Sequence, residues 1–250
     1  MTKGFLAVLS EPDWYNNEHV PLRLNHISAF LTGARFEAGD GEKPSWIAFY
    51  DIASTSTFND PSYTRLRENR SPREAALVKR LDVLDRRTCE VVFETVNAGA
   101  ESSSSGFATE NPTQWVVTYG LDITEGEELG DMDILTEAWK AITDVGETAT
   151  SLIRSRLLLC IDSLKSGVAI PSDPEAQKIP KYFVVHGEAL YRKSFEIRLS
   201  PTEFNSGAGA ESFKIVLKGL SNAGNTFEIS EERVWKLYRA YPCIAQGNLS

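Results

Sequence analysis

Five strand-like runs in this sequence are apolar at both alternating positions, and this restricts the folds that can accommodate them. They lie at residues 5–9, 46–50, 115–117, 157–161 and 182–185. Successive side chains of a strand point to opposite faces, so such a strand needs cover on both faces of its sheet. We expect helices on one face and a second sheet on the other, with a side-chain-lined interior between two four-stranded sheets.

The order of predicted elements in the first part of the chain is βαββαβ, the ferredoxin-like unit. Strands are predicted at residues 3–10, 30–38, 45–53 and 87–96. Asp13 can cap a first helix that Pro21 must kink or restart, and a helical stretch is predicted at residues 60–69. Another begins at Ser71, with Pro72 at the first helical position and Glu74 at the capping-box position.

A second, divergent unit is predicted to follow a linker. Residues 98–112 are rich in Ser and Gly and are expected to be flexible. Strands are then predicted at 114–123, 152–161, 181–188 and 233–241, helices at 133–147 and 200–221, and a surface loop at 162–180. We therefore predict a first repeat at residues 1–97, a linker at 98–112 and a second repeat at 113–250.

Internal similarity supports a tandem duplication. Residues 44–53 match residues 180–189 position by position, with proline first, an aromatic residue third and alanine last. Residues 14–20 similarly align with 139–145, and Arg35 aligns with Arg156. Chance similarity between amphipathic segments is the alternative.

The two matched strands also predict which side chains line the interior. The apolar sets Ile47/Phe49 and Phe183/Val185 suit a face packed on helices. The opposite sets carry large aromatic rings with polar tips, which favours a ligand cavity. Those sets are Trp46, Ala48 and Tyr50 in one strand and Tyr182, Val184 and His186 in the other. The alternative is that Tyr50 and His186 bond only each other or the backbone.

The segment at residues 13–21 is the strongest candidate for chemistry. It contains His19, one of three histidines in the chain, beside Glu18 and close to Trp14 and Tyr15. Imidazole titrates near neutral pH, so an oriented and enclosed histidine can act as a general acid or base. A helix-capping and packing cluster is the alternative.

Composition excludes several classes of protein. The net charge of -9 and the pI near 5.0 disfavour nucleic acid and anionic membrane surfaces as partners. The opening run is too short for a signal peptide or a membrane span, which predicts a cytoplasmic protein. The 3 cysteines are distant in sequence and are expected to be buried free thiols. We find neither a metal-ligand spacing nor a phosphate-binding glycine loop.

The motifs resemble the dimeric α+β barrel superfamily, and specifically its EthD-like fungal members, which carry the unit in tandem. The first motif is Asp-Trp-Tyr-Asn-Asn-Glu-His-Val-Pro at residues 13–21, and the second is Tyr-Thr-Arg-Leu-Arg-Glu-Asn-Arg-Ser-Pro-Arg-Glu at 63–74. Arg35-Phe36 and Tyr50-Asp51 complete the pattern. The resemblance is specific over residues 3–95 and faint over 114–241. It implies an intramolecular α+β barrel with a ligand cavity.

The resemblance implies a small-molecule enzyme that needs no cofactor. The expected chemistry is acid/base catalysis on an aromatic or polyketide-derived substrate, by a cyclase, isomerase, decarboxylase or other lyase of secondary metabolism. Alternatives are a cofactor-free monooxygenase and a non-catalytic barrel that binds a hydrophobic ligand or haem. The expected catalytic residues are His19, Glu18, Tyr50 and His186, and the expected substrate-binding residues are Trp14, Tyr15, Asn17, Trp46 and Tyr182. A homodimer is compatible with this fold but is not needed to form the cavity.

Two departures from the family pattern affect the site. Asp144 and Gly146 stand where the second repeat would carry counterparts of His19 and Pro21, so we expect that repeat to lack the same site. Only residues 11–13 separate the first strand from the Trp-Tyr motif, where relatives have a longer polar segment. Either the first helix is short and leaves the cavity open, or a mobile segment is missing.

Overall fold

The computed structural model describes residues 2–10, 19–96, 106–123, 131–148, 152–188 and 227–246. Eight strands are defined: β1 Gly4–Ser10, β2 Phe30–Ala38, β3 Trp46–Ile52, β4 Leu84–Val96, β5 Trp115–Ile123, β6 Leu152–Ser166, β7 Tyr182–Glu188 and β8 Phe227–Ala240. The helices are α1 Val20–His26, α2 Pro61–Glu68, α3 Pro72–Val78, α4 Asp131–Thr148 and α5 Pro174–Gln177, with 3-10 turns at Thr55–Asn59 and Ile244–Gln246.

The strands close into one antiparallel barrel. Their order is β1-β3-β2-β8-β5-β7-β6-β4, and β4 pairs again with β1. The first half, β1–β4, forms a sheet in the order 4-1-3-2, and the second half, β5–β8, repeats that order as 8-5-7-6. The β2/β8 and β4/β6 pairs join the halves. The predicted α+β fold, with tandem ferredoxin-like repeats closed into a barrel within one chain, is confirmed.

The barrel interior is a packed apolar core with side chains from both halves. Phe5, Phe36 and Phe49 of the first half lie in one cluster with Phe183 and Trp235 of the second. A barrel of eight strands is just wide enough for side chains to fill it, which explains the dense packing of rings. The polar-tipped side chains therefore need another location.

The predicted assignment of side chains to the interior is reversed. The sets Ile47/Phe49 and Phe183/Val185 lie in the interior cluster. Ala48 and Tyr50 face outward and pack with residues of α1 and α2, while Tyr182 and Val184 pack outward with α4. The physical reason is that the interior between the two half-barrels is filled mainly by apolar side chains, whereas Tyr50 and Tyr182 are accommodated between the sheets and the helices.

The register also corrects one detail of the duplication. β3 and β7 are the third strands of their halves, as the match between residues 44–53 and 180–189 predicts. Arg35 pairs with Ala48 in the first half, and Leu157 pairs with Val184 in the second, so Leu157 is the counterpart of Arg35. Arg156 lies one position earlier and faces the interior, where its guanidinium is 5.3 Å from the Phe5 ring.

Two connecting segments are more ordered than the sequence predicts. Within the predicted linker, Phe107 is 5% exposed and its ring stacks on Phe49 at 5.4 Å, so this end of the segment is attached to the core. Of the predicted 162–180 loop, the first residues continue β6 and four others form α5. The linker boundaries at 98 and 112 stay a prediction, and the predicted helix at 200–221 lies outside the described residues.

The three cysteines are free thiols, as predicted, and Cys89 and Cys243 are buried. Cys89 and Cys160 nevertheless face each other across the β4/β6 pair, with their sulfurs 3.3 Å apart. Among the described helices, none combines the length and the apolar character needed to span a membrane.

Candidate functional site

The central feature of the candidate site is a contact between His19 and Glu74. His19 immediately precedes α1, and its Nδ1 lies 2.6 Å from Oε1 of Glu74. Glu74 is in the first turn of α3, which begins as predicted, because the Ser71 hydroxyl caps the helix by accepting a hydrogen bond from the Glu74 amide at 3.0 Å. Both side chains are largely enclosed, with 12% and 3% exposed. We call this contact the His19–Glu74 pair.

The surroundings of His19 favour its neutral form. Burial is the largest cause that lowers its pKa well below the ordinary value, followed by the positive charges of Arg23, Arg70 and Arg35. Because an ionised carboxylate can only accept hydrogen bonds, Nδ1 carries the hydrogen and donates it to Glu74. The imidazole is therefore neutral near pH 7 and its tautomer is fixed.

Arg23 and Tyr63 complete the polar part of this site. Arg23 lies on the buried face of α1, between Val20 and Leu24, and its Nη1 donates to the His19 carbonyl oxygen at 2.7 Å. Its guanidinium lies 5.9 Å from the centre of the Tyr63 ring on α2. Helices α1 and α2 thus bring a cation and a phenol ring to the same region as His19.

A small cavity lies beside these residues, between the helices and the outer face of the first half. Its volume is about 60 Å³. The polar side of the lining is formed by His19, Arg23, Tyr63, Arg70 and Arg86, and the apolar side by Leu6, Val8, Val78, Leu81, Leu84 and Leu164. We call it the first cavity. It combines an apolar wall with convergent polar groups, as small-molecule sites do, although its volume is below the usual range for such sites.

The structure places two of the predicted residues near this region. Tyr50 is fully buried in the cluster that also holds Leu6 and Tyr63, with its ring edge-on to Phe30 at 5.4 Å. Trp46 is half-buried farther along β3, where the guanidinium of Arg35 lies 4.6 Å from its ring. The predicted residues Trp14, Tyr15, Asn17 and Glu18 lie outside the described residues.

His186 lies elsewhere, on the outer face of the second half. Its Nε2 is 3.1 Å from the Tyr119 hydroxyl and its Nδ1 is 2.8 Å from the Ser155 hydroxyl. Burial lowers the pKa of His186 to about 4 and raises that of Tyr119. Tyr182 packs in the same half, against α4. His186 and Tyr182 are therefore not brought together with His19.

His186 does not fit the role of an axial haem ligand, because both of its ring nitrogens already have hydrogen-bond partners. The described ranges also contain no group of three or more His, Cys, Asp or Glu placed to hold a metal ion.

Sequence reasoning did not assign Glu74, Arg23 or Tyr63 to the site. Glu74 and Tyr63 belong to the 63–74 motif, but the sequence there predicts only a capping role for Glu74. Arg23 gives a weaker signal, which is a charged residue on the apolar face of a short helix. Because His19 and Glu74 are 55 residues apart, the sequence favours neighbouring Glu18 as the partner of His19 instead.

Comparisons with known proteins reveal the fold but no sequence family. No family model matches the chain, and no curated protein matches it by sequence. An anthrone oxidase-like protein of known structure is similar, with a TM-score of 0.55, 8% identity and coverage of 97% of this chain and 93% of that one. A mutant chlorite dismutase from Candidatus Nitrospira defluvii in complex with cyanide gives a TM-score of 0.51 and 10% identity, covering 98% and 94% of the two chains. Another mutant of that enzyme gives 0.50 and 8%, covering 95% and 90%.

These structural neighbours are dimeric α+β barrel proteins, and at such low identity they show the fold alone. The chain therefore has the dimeric α+β barrel fold, with both halves of the barrel in one polypeptide. Membership of the EthD-like fungal group stays a prediction from the 13–21 and 63–74 motifs.

Proposed function

We propose that this chain is a small-molecule enzyme in which His19 transfers a proton in the first cavity. The observation that carries the proposal is the 2.6 Å contact between His19 Nδ1 and Glu74 at the wall of that cavity. A neutral imidazole held by a carboxylate has a fixed tautomer, and the carboxylate stabilises the imidazolium that forms when the ring accepts a proton. Glu74 is thus a positioning residue and His19 the general base.

The surrounding charges support a substrate that becomes anionic. When His19 removes a proton from a carbon next to a carbonyl group, the electron pair passes into an enolate. Arg23 and Arg70 line the first cavity and supply positive charge for that anion. This chemistry fits an aromatic or polyketide-derived substrate, and the reaction would be a cyclisation, isomerisation, decarboxylation or other lyase reaction.

The size of the first cavity limits the route of entry. A volume of about 60 Å³ corresponds to roughly two water molecules, which is too small for an aromatic ring. Leu164, which is 43% exposed, and Arg86, which pairs with Asp162, are lining residues on the strand pair β4/β6. We propose that substrate binding displaces these two side chains and enlarges the cavity.

Tyr50 remains a proposed catalytic residue, and Trp46 a proposed substrate-binding residue on the same sheet face. On the strength of the 13–21 motif, Glu18 also remains a proposed catalytic residue, and Trp14, Tyr15 and Asn17 remain proposed substrate-binding residues. The EthD-like assignment belongs to the same proposal. His186 and Tyr182 are left out, because they lie on the other half.

The test uses anthrone, whose methylene hydrogens are acidic because loss of one leaves an electron pair that is conjugated through an aromatic ring with the ketone, which gives an enolate of the same kind. The protein is incubated with anthrone in D₂O, and the exchange of these hydrogens is followed by NMR while an electrode records oxygen uptake. We expect His19→Gln to lower the exchange rate by roughly 100-fold to 10,000-fold with nearly unchanged melting temperature, since Gln can still donate to Glu74. His26→Gln, an exposed histidine of α1, is the matched control.

Each outcome separates the alternatives. Exchange without oxygen uptake supports a cyclase, isomerase or lyase, and exchange with oxygen uptake supports a cofactor-free oxygenase. Wild-type exchange rates in His19→Gln would overturn the role of His19. Binding of anthrone without enzyme-dependent exchange would favour a non-catalytic barrel.

A further inference from the structure

A second cavity lies at one end of the barrel interior. Its volume is about 300 Å³, which is within the range of small-molecule sites. Leu9 and Phe183, two of its lining residues, belong to the interior core, whereas the first cavity lies outside the sheet. The two cavities share none of their lining residues. We call this one the end cavity.

Arg87 is a buried charged residue of the end cavity. Its side chain is 2% exposed, its Nε and Nη2 donate to Asp85 at 3.0 and 2.6 Å, and Nη2 also donates to Glu231 at 2.5 Å. Its guanidinium lies 4.8 Å from the centre of the Phe183 ring. Nη1 is buried and has no hydrogen-bond partner among the described residues. A buried donor without a partner is unfavourable, so an acceptor placed there would be stabilised.

The charges around the end cavity favour an anion. Lys43, Arg87, Lys165 and Arg233 line it, together with the carboxylates Asp85 and Glu231. Asp40 pairs with Arg233 at 2.9 Å, and this leaves one positive charge in excess. Such an excess, in a chain with a net charge of -9, is a local feature that a carboxylate would neutralise.

The rest of the lining supplies one further donor and an apolar wall. Thr118 is buried, and its hydroxyl oxygen accepts a hydrogen bond from the Trp235 indole at 2.9 Å, which leaves the hydroxyl hydrogen directed elsewhere. Leu9, Ile170 and Phe183 provide the apolar surface. A ligand that carries a carboxylate on an aromatic ring matches this combination of hydrogen-bond donors and apolar surface.

We propose that the end cavity is a binding site for a small aromatic carboxylate, separate from the His19 site. The carboxylate would accept a hydrogen bond from Arg87 Nη1, and the ring would pack against Leu9 and Phe183. The site is built from both halves, because Arg87 belongs to β4 and Phe183 to β7, so only the closed barrel provides it.

Benzoate is the probe, and benzamide is its neutral counterpart with the same shape. Binding to the full chain is measured by isothermal titration calorimetry at constant ionic strength, with backbone NMR shifts to locate it. We expect benzoate to bind at one site and benzamide at least 10-fold more weakly. Equal affinities for the two probes, or no saturable benzoate binding, would overturn the proposal.

Two variants test the position of the bound benzoate. Arg87→Lys keeps the charge but removes Nη1, and we expect at least a 10-fold weaker affinity. Ile170→Trp places a large ring in the end cavity from a loop, and we expect it to abolish benzoate binding. This second variant tests the position of the site even if Arg87→Lys does not fold. His19→Gln is the matched control and should bind as the wild type does. Unchanged affinity in Ile170→Trp, or loss of binding in His19→Gln alone, would overturn the assignment.

Discussion

Tyr50 and His186 occupy matching positions on the third strands of the two halves, but their surroundings differ. Tyr50 pairs with Leu6 and His186 with Val117, and both side chains face the helix side of their sheets. In the first half that side holds the His19–Glu74 pair, cationic side chains and a cavity. In the second half, Tyr119 and Ser155 occupy both nitrogens of His186. The same scaffold therefore holds the proposed site in one half and a hydrogen-bonded network of His186, Tyr119 and Ser155 in the other.

The largest expected effect on stability is at the hydrogen-bonded network of His186, Tyr119 and Ser155. His186→Ala leaves the buried hydroxyls of Tyr119 and Ser155 without this partner and creates a cavity, so we expect a loss of about 3 to 4 kcal/mol in the free energy of unfolding. Urea denaturation measures it, with Tyr119→Phe as a milder control at about 1 kcal/mol. A loss smaller than that of Tyr119→Phe would mean that the hydrogen bonds of His186 do not stabilise the second half.

Acid should destabilise the protein through its buried histidines. The folded-state pKa of His186 is about 4, below the ordinary value of 6.5, so the unfolded chain binds a proton first as the pH falls. The stability is fully present above pH 6.5 and is lost towards pH 4, by up to about 3 kcal/mol at about 1.4 kcal/mol per pKa unit. His19 acts in the same direction.

Urea denaturation at several pH values between 7 and 4 measures this loss. The difference between the wild type and His186→Gln cancels the contribution of carboxylates elsewhere. A pH dependence identical in both proteins would contradict the buried, neutral state of His186.

The smallest expected effect is at the first-half pair. Glu74→Gln removes a charged acceptor from His19, so we expect a loss of about 1 to 2 kcal/mol and a further decrease in the pKa of His19, measured by urea denaturation and NMR titration. Glu68→Gln, at the exposed end of α2, is the matched control and should change stability by less than about 0.5 kcal/mol. Equal effects of the two substitutions would show that the His19–Glu74 contact does not persist in solution.

The fold was predictable because its signals are local. Runs such as residues 5–9 and 46–50 are apolar on both faces, and no open sheet can cover both. The orientation of those faces was not predictable from the same runs. Phe49 and Tyr50 are adjacent and both fully buried, so hydrophobicity alone does not reveal which of them meets the opposite sheet and which meets a helix.

The candidate site could be proposed from the sequence only where it is formed by neighbours in the chain. The 13–21 motif makes His19 a candidate, but its contact with Glu74 depends on the packing of α3, which is a long-range feature. The alignment of Arg35 with Arg156 failed for a similar reason, because an error of one residue places a side chain on the opposite face of a sheet.

The pairing of β2 with β8 has a consequence for synthesis on the ribosome. A nascent chain that contains only β1–β4 has an uncovered apolar sheet face, and β2 and β4 are unpaired edges. β2 must wait for nearly the whole chain to emerge before its partner β8 exists. Because contacts between such distant residues form slowly, we expect the barrel to close after translation, with a period in which chaperones protect the first half.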